Sequence, residues 1–454
     1  KTIVSGFFVA NAFVSFMNAQ EKLTQYSYVN SRVDSLIQDA ESKKIFSGLV
    51  AISSNQKQFY YKHGGYADWQ SKRPLNRSTL FNIGSLNKQF TEEIIHQLVK
   101  ENKLKYEDKL SSYLNIYPSQ IGDKITVQLL LDMKAGLGDY LISPKFTEIE
   151  NRDFKLVELI DIIKEMPLLY EPGKDEQYSN SGYVVLGALI EKITGKSYEE
   201  NLHDRIVIPV GLKNIYYTKT QKEYQTNRAF GTFIDCEGEK KSVDDCTNST
   251  PAGGIYSNID DLLLFAEAKM NSSLPSGKKY GRGAFAGGTN IWNSMIVYDN
   301  EKGIALVVMA NCGKIADEVA PRIRSIIRKE KYPPLNLPFE MTFYNLLKNK
   351  GEKYVKQNIR DICKQARLDY DERFLNYFGY QFLNSEKVEM ALKLFKINTE
   401  LFPKNANTFD SLGECCMKLG DKHNALKFYK KALSLDSENN RIKKSISDLE
   451  GVKP

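Results

Sequence analysis

The 454-residue sequence predicts an α+β domain followed by an all-helical region. Hairpin signals lie near both ends of the first 330 residues, and amphipathic helices fill the stretch between them. A 34-residue internal period begins only after a proline-rich break. The length supports more than one core. With 42% hydrophobic and 11% aromatic residues the chain is globular rather than disordered. The net charge of +7 comes from 63 basic and 56 acidic residues mixed along the chain. Such mixing reads as solvated surface, so no nucleic-acid partner is expected. Four scattered histidines (His63, His96, His203, His423) without an H-E-x-x-H pattern argue against a zinc enzyme, and no cofactor is expected.

In chain order, the uncharged run from Ile3 to Met17 follows Lys1 and precedes polar Asn18-Ala19-Gln20. It reads as a secretory signal peptide over 1–19, with an uncleaved anchor as the alternative and no further membrane span. A periplasmic or secreted location follows, and export permits disulfides. Cys236 and Cys246 flank a polar segment and could clip that loop, whereas Cys415-Cys416 read as helix interior.

Val29, Val33, Leu36 and Ile37 predict an opening helix over 28–44. Two strands follow, 48–52 and 59–61, joined by Ser54-Asn55-Gln56 as a hairpin. Phe90, Ile94, Ile95 and Leu98 predict a helix from Ser85 to about Lys100, and Gly84 before it permits close backbone approach. Short helices over 126–131 and 155–166 precede Pro172-Gly173, and Tyr178–Tyr183 feeds another helix. A Gly-rich loop, Pro251–Ser257, leads into a helix over 260–270. Strands over 294–298 and 304–310 and a helix over 315–329 close the domain, about 28–330. Residues 331–340 form a proline-rich linker, and 341–370 a helical spacer. Beyond it Gly379 and Gly413, Ala391 and Ala425, and Phe395 and Tyr429 are each 34 apart, the tetratricopeptide period, with two repeats and a capping helix over 371–450.

The chemistry centres on Ser85 and Lys88. Residues three apart on a helix share a face with Cβ atoms about 5–6 Å apart, so the Lys88 amine reaches the Ser85 hydroxyl. A lysine buried enough to lose its proton can take the serine proton and create a nucleophile. The bland alternative is a serine cap with an exposed lysine one turn on.

Thr79 to Thr91, with Ser85-Leu86-Asn87-Lys88 at its centre, resembles the first motif of the serine β-lactamase and penicillin-binding-protein superfamily. Tyr178-Ser179-Asn180 is similar to the second motif of its branch of class C β-lactamases, D-alanyl-D-alanine carboxypeptidases and esterases. Leu130-Leu131 with Ala135–Leu137, and Gly253–Ser257, resemble its scaffold loops. The resemblance implies a β-lactamase-like antiparallel sheet flanked by helices, with an all-helical insertion. It implies an acyl-enzyme at Ser85, proton transfer shared by Lys88 and a Tyr178 hydroxyl whose pKa the lysine charge lowers, and Asn180 donating to a substrate carbonyl.

The third motif departs from the family pattern of a basic residue, a small residue and glycine. One register puts Arg282 at the basic position and Ala284 at the glycine; the other, Phe285-Ala286-Gly287, has no cation. The first is preferred because Arg282 can hold a substrate carboxylate and the Phe285 N–H can join that of Ser85 as an oxyanion donor. The segment 271–279 is also shorter than the family's wall there. The resulting expectation is an exported serine hydrolase acting on a small ester or amide, including D-amino-acid peptides and, weakly, β-lactams. The alternative is a catalytically impaired relative that binds a ligand, with a protein partner held by the repeats.

Overall fold

The computed structural model describes residues 24–217, 226–244 and 248–451. The expected signal segment and Cys246 of the expected clip lie outside these residues. Two compact units are present. One comprises residues up to Leu335 without Ile234–Lys240, and the other Asn336 onward together with Ile234–Lys240.

The first unit is built on β1 (Gly48–Ser54), β2 (Lys57–Gly64), β3 (Arg282–Gly288), β4 (Asn293–Asp299) and β5 (Ile304–Ala310). They form one antiparallel sheet in the order β2-β1-β5-β4-β3. The chain's two ends thus meet at the β1–β5 ladder, Gly48 opposite Ala310 and Ser54 opposite Ile304. Both strands are buried along their full length, as central strands covered on both faces must be. Helix α1 (24–42) buries Val29, Val33, Leu36 and Ile37, the four positions whose spacing announced it.

Helix α2 (Lys88–Lys100) continues a 3₁₀ turn over Gly84–Asn87, so the predicted helix from Ser85 has a tighter first turn. Phe90, Ile94, Ile95 and Leu98 bury its apolar stripe. Helix α3 (Asn180–Thr194) begins at Ser179, whose hydroxyl accepts from the Gly182 N–H at 3.3 Å. Helix α4 (Ile259–Met270) and helix α5 (Ile315–Arg328) pack on the central strands. The stretch between β2 and β3 is not wholly helical, because it also carries short ladders. One pairs Phe81–Asn82 with Tyr256–Ser257 and fixes the segment before Ser85 beside the Gly-rich loop. This is the expected α+β architecture.

The second unit is all-helical apart from its 234–240 segment. Helix α6 (Phe339–Ala366) is broken at Gly351 (φ 78°, ψ 174°). Then follow α7 (Glu372–Asn384), α8 (Val388–Leu401), α9 (Ala406–Lys418), α10 (Lys422–Leu435) and α11 (Asn440–Glu450). A Cβ at Gly379 would come within 2.5 Å of the Phe395 ring, and one at Gly413 within 2.8 Å of the Tyr429 ring. The 34-residue period therefore corresponds to two helical hairpins closed by the same glycine-to-aromatic contact. Cys415 and Cys416 are buried in this core, as their helical position required. Glu237 accepts from the Tyr344 hydroxyl at 2.8 Å and pairs with Lys387. Among the described residues no helix is long and apolar enough to cross a membrane.

Candidate active site

Three loops converge on the first turn before α2. Ser85 comes from that turn and Lys88 from the first position of α2, Tyr178 and Asn180 from the entry to α3, and Ala252 from the Gly-rich loop. Lys88 Nζ lies 3.1 Å from Ser85 Oγ, 2.7 Å from Asn180 Oδ1 and 2.6 Å from the Ala252 carbonyl. Tyr178 Oη lies 2.5 Å from Ser85 Oγ and 3.4 Å from Asn180 Oδ1. Because Ser179 takes the cap of α3, the Asn180 side chain is free to face the site. Its amide donates to Asp139 at 2.7 Å, which turns its oxygen toward Lys88. Asp139, in the turn after Ala135–Leu137, was not singled out from the sequence, although the turn containing it was.

Lys88 is 4% exposed. Burial lowers its pKa to about 7, opposed by the Asp139 carboxylate. The Tyr178 hydroxyl goes the other way. Burial raises its pKa, against the lowering effect of the Ser85 hydrogen bond. The expectation that a lysine charge would pull this tyrosine down is therefore corrected, since an amine that loses its own charge near neutrality does not supply that field. Half of the Tyr178 residue is exposed, yet its hydroxyl end sits between Ser85 and Asn180.

Edge strand β3 forms the facing wall. A Cβ at Gly287 would stand 2.5 Å from the Ser85 nitrogen, and one at Gly84 would stand 2.6 Å from the Gly288 nitrogen. The strand and the Ser85 turn approach this closely because both positions are glycine, and Gly84 also has φ +50°. Gly287, not Ala284, is thus the glycine against the serine. Arg282 is not brought to the site. It pairs with Asp299 at 3.6 Å and with Glu301, and its side chain is 52% exposed. Phe285 stands two residues before the close approach, its ring 6.1 Å from that of Tyr298 and beneath Lys269. The backbone beside Ser85 is therefore that of Gly287–Gly288 rather than Phe285.

Two cavities meet at Ser85. A cleft of about 780 Å³ is lined by Ser85, Tyr178, Asn180, Tyr140, Phe146 and Gly287, among others. A second, of about 590 Å³, is lined by Ser85, Lys88, Tyr178, Glu92, Asp132 and Phe285, among others.

Residues 33–329 match the family model described as Beta-lactamase, nearly two thirds of the chain. The chain belongs to the β-lactamase family. Over 251 residues it is 30% identical to a penicillin-binding protein of Bacillus subtilis (strain 168), covering 52% of this chain and 55% of that protein. Over 190 residues it is 28% identical to the teichoic acid D-alanine hydrolase of Staphylococcus aureus, covering 42% of this chain and 45% of that one. The aligned part thus spans about half the length of these relatives. A D-amino acid amidase from Ochrobactrum anthropi SV3 has the same fold, with a TM-score of 0.57 and 21% identity over 66% of this chain and 99% of that one. Within the matched residues of this serine hydrolase family member, Lys88 Nζ lies 3.1 Å from Ser85 Oγ.

Proposed function

We propose that the protein is an exported serine hydrolase that cleaves an ester or amide through an acyl-enzyme at Ser85. The hydrogen-bond geometry of Lys88 carries this reading. A neutral amine has two N–H donors and one lone pair. The Asn180 and Ala252 oxygens, at 2.7 and 2.6 Å, take both donors and leave the lone pair for the Ser85 hydroxyl. Lys88 then accepts the Ser85 proton as Oγ attacks the acyl carbon. The Ser85 N–H and a backbone N–H of the adjoining Gly287–Gly288 segment are the donors this reading assigns to the developing oxyanion, supported by the close approach of the two backbones. Tyr178, kept protonated, donates to Oγ, and Lys88 returns the proton to the leaving group. Water repeats the cycle on the acyl-enzyme.

Intact-mass measurement after mixing the full chain with a small activated ester tests this. A single acyl adduct on the wild type and none on Ser85→Ala is the expected result. No adduct on the wild type, or equal adducts on both, rejects it and leaves the ligand-binding alternative.

For the second unit we propose tetratricopeptide-type repeats that hold a protein partner, supported by the repeated Gly379–Phe395 and Gly413–Tyr429 packing. A partner cross-linked equally well to the full chain and to a chain ending at Leu335 would reject that assignment.

A further inference from the structure

The second cavity says what leaves. Lys88 lines this cavity and not the larger cleft, whereas Asn180 lines the larger cleft and not this one. The proton taken by Lys88 must return to the departing atom, so the leaving group belongs on the Lys88 side and the acyl group on the Asn180 side.

The charge in this cavity is not arranged for an anion. The strand position that faces it carries Phe285, and Arg282 is held by Asp299 and Glu301. Lys278 lies 3.7 Å from Glu92 and 2.6 Å from His96 Nε2, so Glu92 already balances its charge. Burial alone would raise the Glu92 carboxyl, but His96, Lys269 and Lys278 together bring it down to about 2, and it stays ionised. Asp132 adds a further carboxylate. It lines the cavity, and its Oδ1 accepts from the Gln128 amide at 2.8 Å. Amide, phenol and carboxylate groups beside the Phe285 ring suit hydroxyl groups, which can both donate and accept.

We propose that the second cavity receives the alcohol of an ester substrate and selects a neutral polyhydroxylated alcohol over a leaving group bearing a carboxylate. This rests on the acyl-enzyme reading above. In the step, the Ser85 Oγ–acyl bond forms and the acyl–alkoxy bond breaks. The Ser85 proton passes through Lys88 to the departing alkoxide, which leaves as the polyol.

Three esters of one acyl group test it on the full chain: the glycerol, ethyl and lactate esters. All give the same acyl-enzyme, so differences in the rate of Ser85 acylation report the leaving group. The glycerol ester is expected to acylate Ser85 about tenfold faster than the lactate ester, the scale of one unfavourable charge contact in a half-buried site. Asp132→Asn and Phe285→Lys should each narrow that ratio at least about threefold. A lactate ester as fast as the glycerol ester, or a ratio unmoved in every folded variant, overturns the proposal while leaving the acyl-enzyme intact. If no ester acylates the wild type, the acyl-enzyme reading fails, and this inference with it.

Discussion

Lys88 and Lys269 are two buried lysines on neighbouring helices, and both lose basicity through burial, to about 7 and about 8. Their neighbours differ. Lys269 meets the Gln89 side-chain oxygen and lies 4.4 and 4.7 Å from the Tyr280 and Phe285 ring centroids. Glu92 and Glu93 act on it through space and favour its charged form. Lys88 meets two carbonyl-type oxygens and a hydroxyl. A depressed pKa therefore does not by itself make a base. The proposed base, Lys88, is the one whose neutral form has its lone pair beside the Ser85 hydroxyl proton.

Substitution breaks this comparison most sharply. Lys88→Met is expected to slow Ser85 acylation by about 10²–10⁴-fold, the usual contribution of a positioned base. Lys88→Arg should fare no better, because guanidinium does not deprotonate. Lys269→Met should stay within about tenfold of wild type, since it moves no group in contact with Ser85. Acylation rates followed by intact mass check all three.

A smaller steric effect is expected from Gly287→Ala. Its methyl would need to displace the Ser85 nitrogen and the Ile83 oxygen, 2.5 and 2.3 Å away. We expect acylation to fall about 10–100-fold, as for a reacting group misplaced by about 1 Å.

The pH profile sharpens the comparison further. Acylation requires neutral Lys88, so its rate should fall as pH drops below about 7, by about tenfold per unit. The limb should persist in Lys269→Met.

Stability gives the smallest effect, with opposite sign. An unfolded lysine holds its proton up to its ordinary value of 10.5, whereas folded Lys88 holds it only to about 7. Between these values the unfolded chain binds more protons, so stability rises with pH through that window, and below about 7 the full penalty is present. Lys88→Met removes the penalty and loses three hydrogen bonds. A net gain of about 1–3 kcal/mol at pH 6, shrinking as pH rises, is expected from denaturant titrations.

Local pattern made much of this protein legible. The three-residue spacing of Ser85 and Lys88, the apolar stripe of α2, the strand at 304–310 and the 34-residue period all depend on neighbours close in sequence. The third segment was different. Placing the glycine at Ala284 or at Gly287 differs by three residues and so exchanges the two faces of the strand. The choice is made by the ladder with β4, which sets Gly287 opposite Ser294 and Arg282 opposite Asp299, and no residue within 280–290 encodes that partner.

The sequence by itself therefore determined that Ser85, Lys88, Tyr178 and Asn180 were candidates, because short motifs need only local geometry. The tertiary structure decided that Lys88 is buried against Ser85 and that Arg282 is a surface ion pair. The Ala252 carbonyl that meets Lys88 comes from a residue 164 positions away, and the strand register comes from pairing with β4, which lies outside the segment itself.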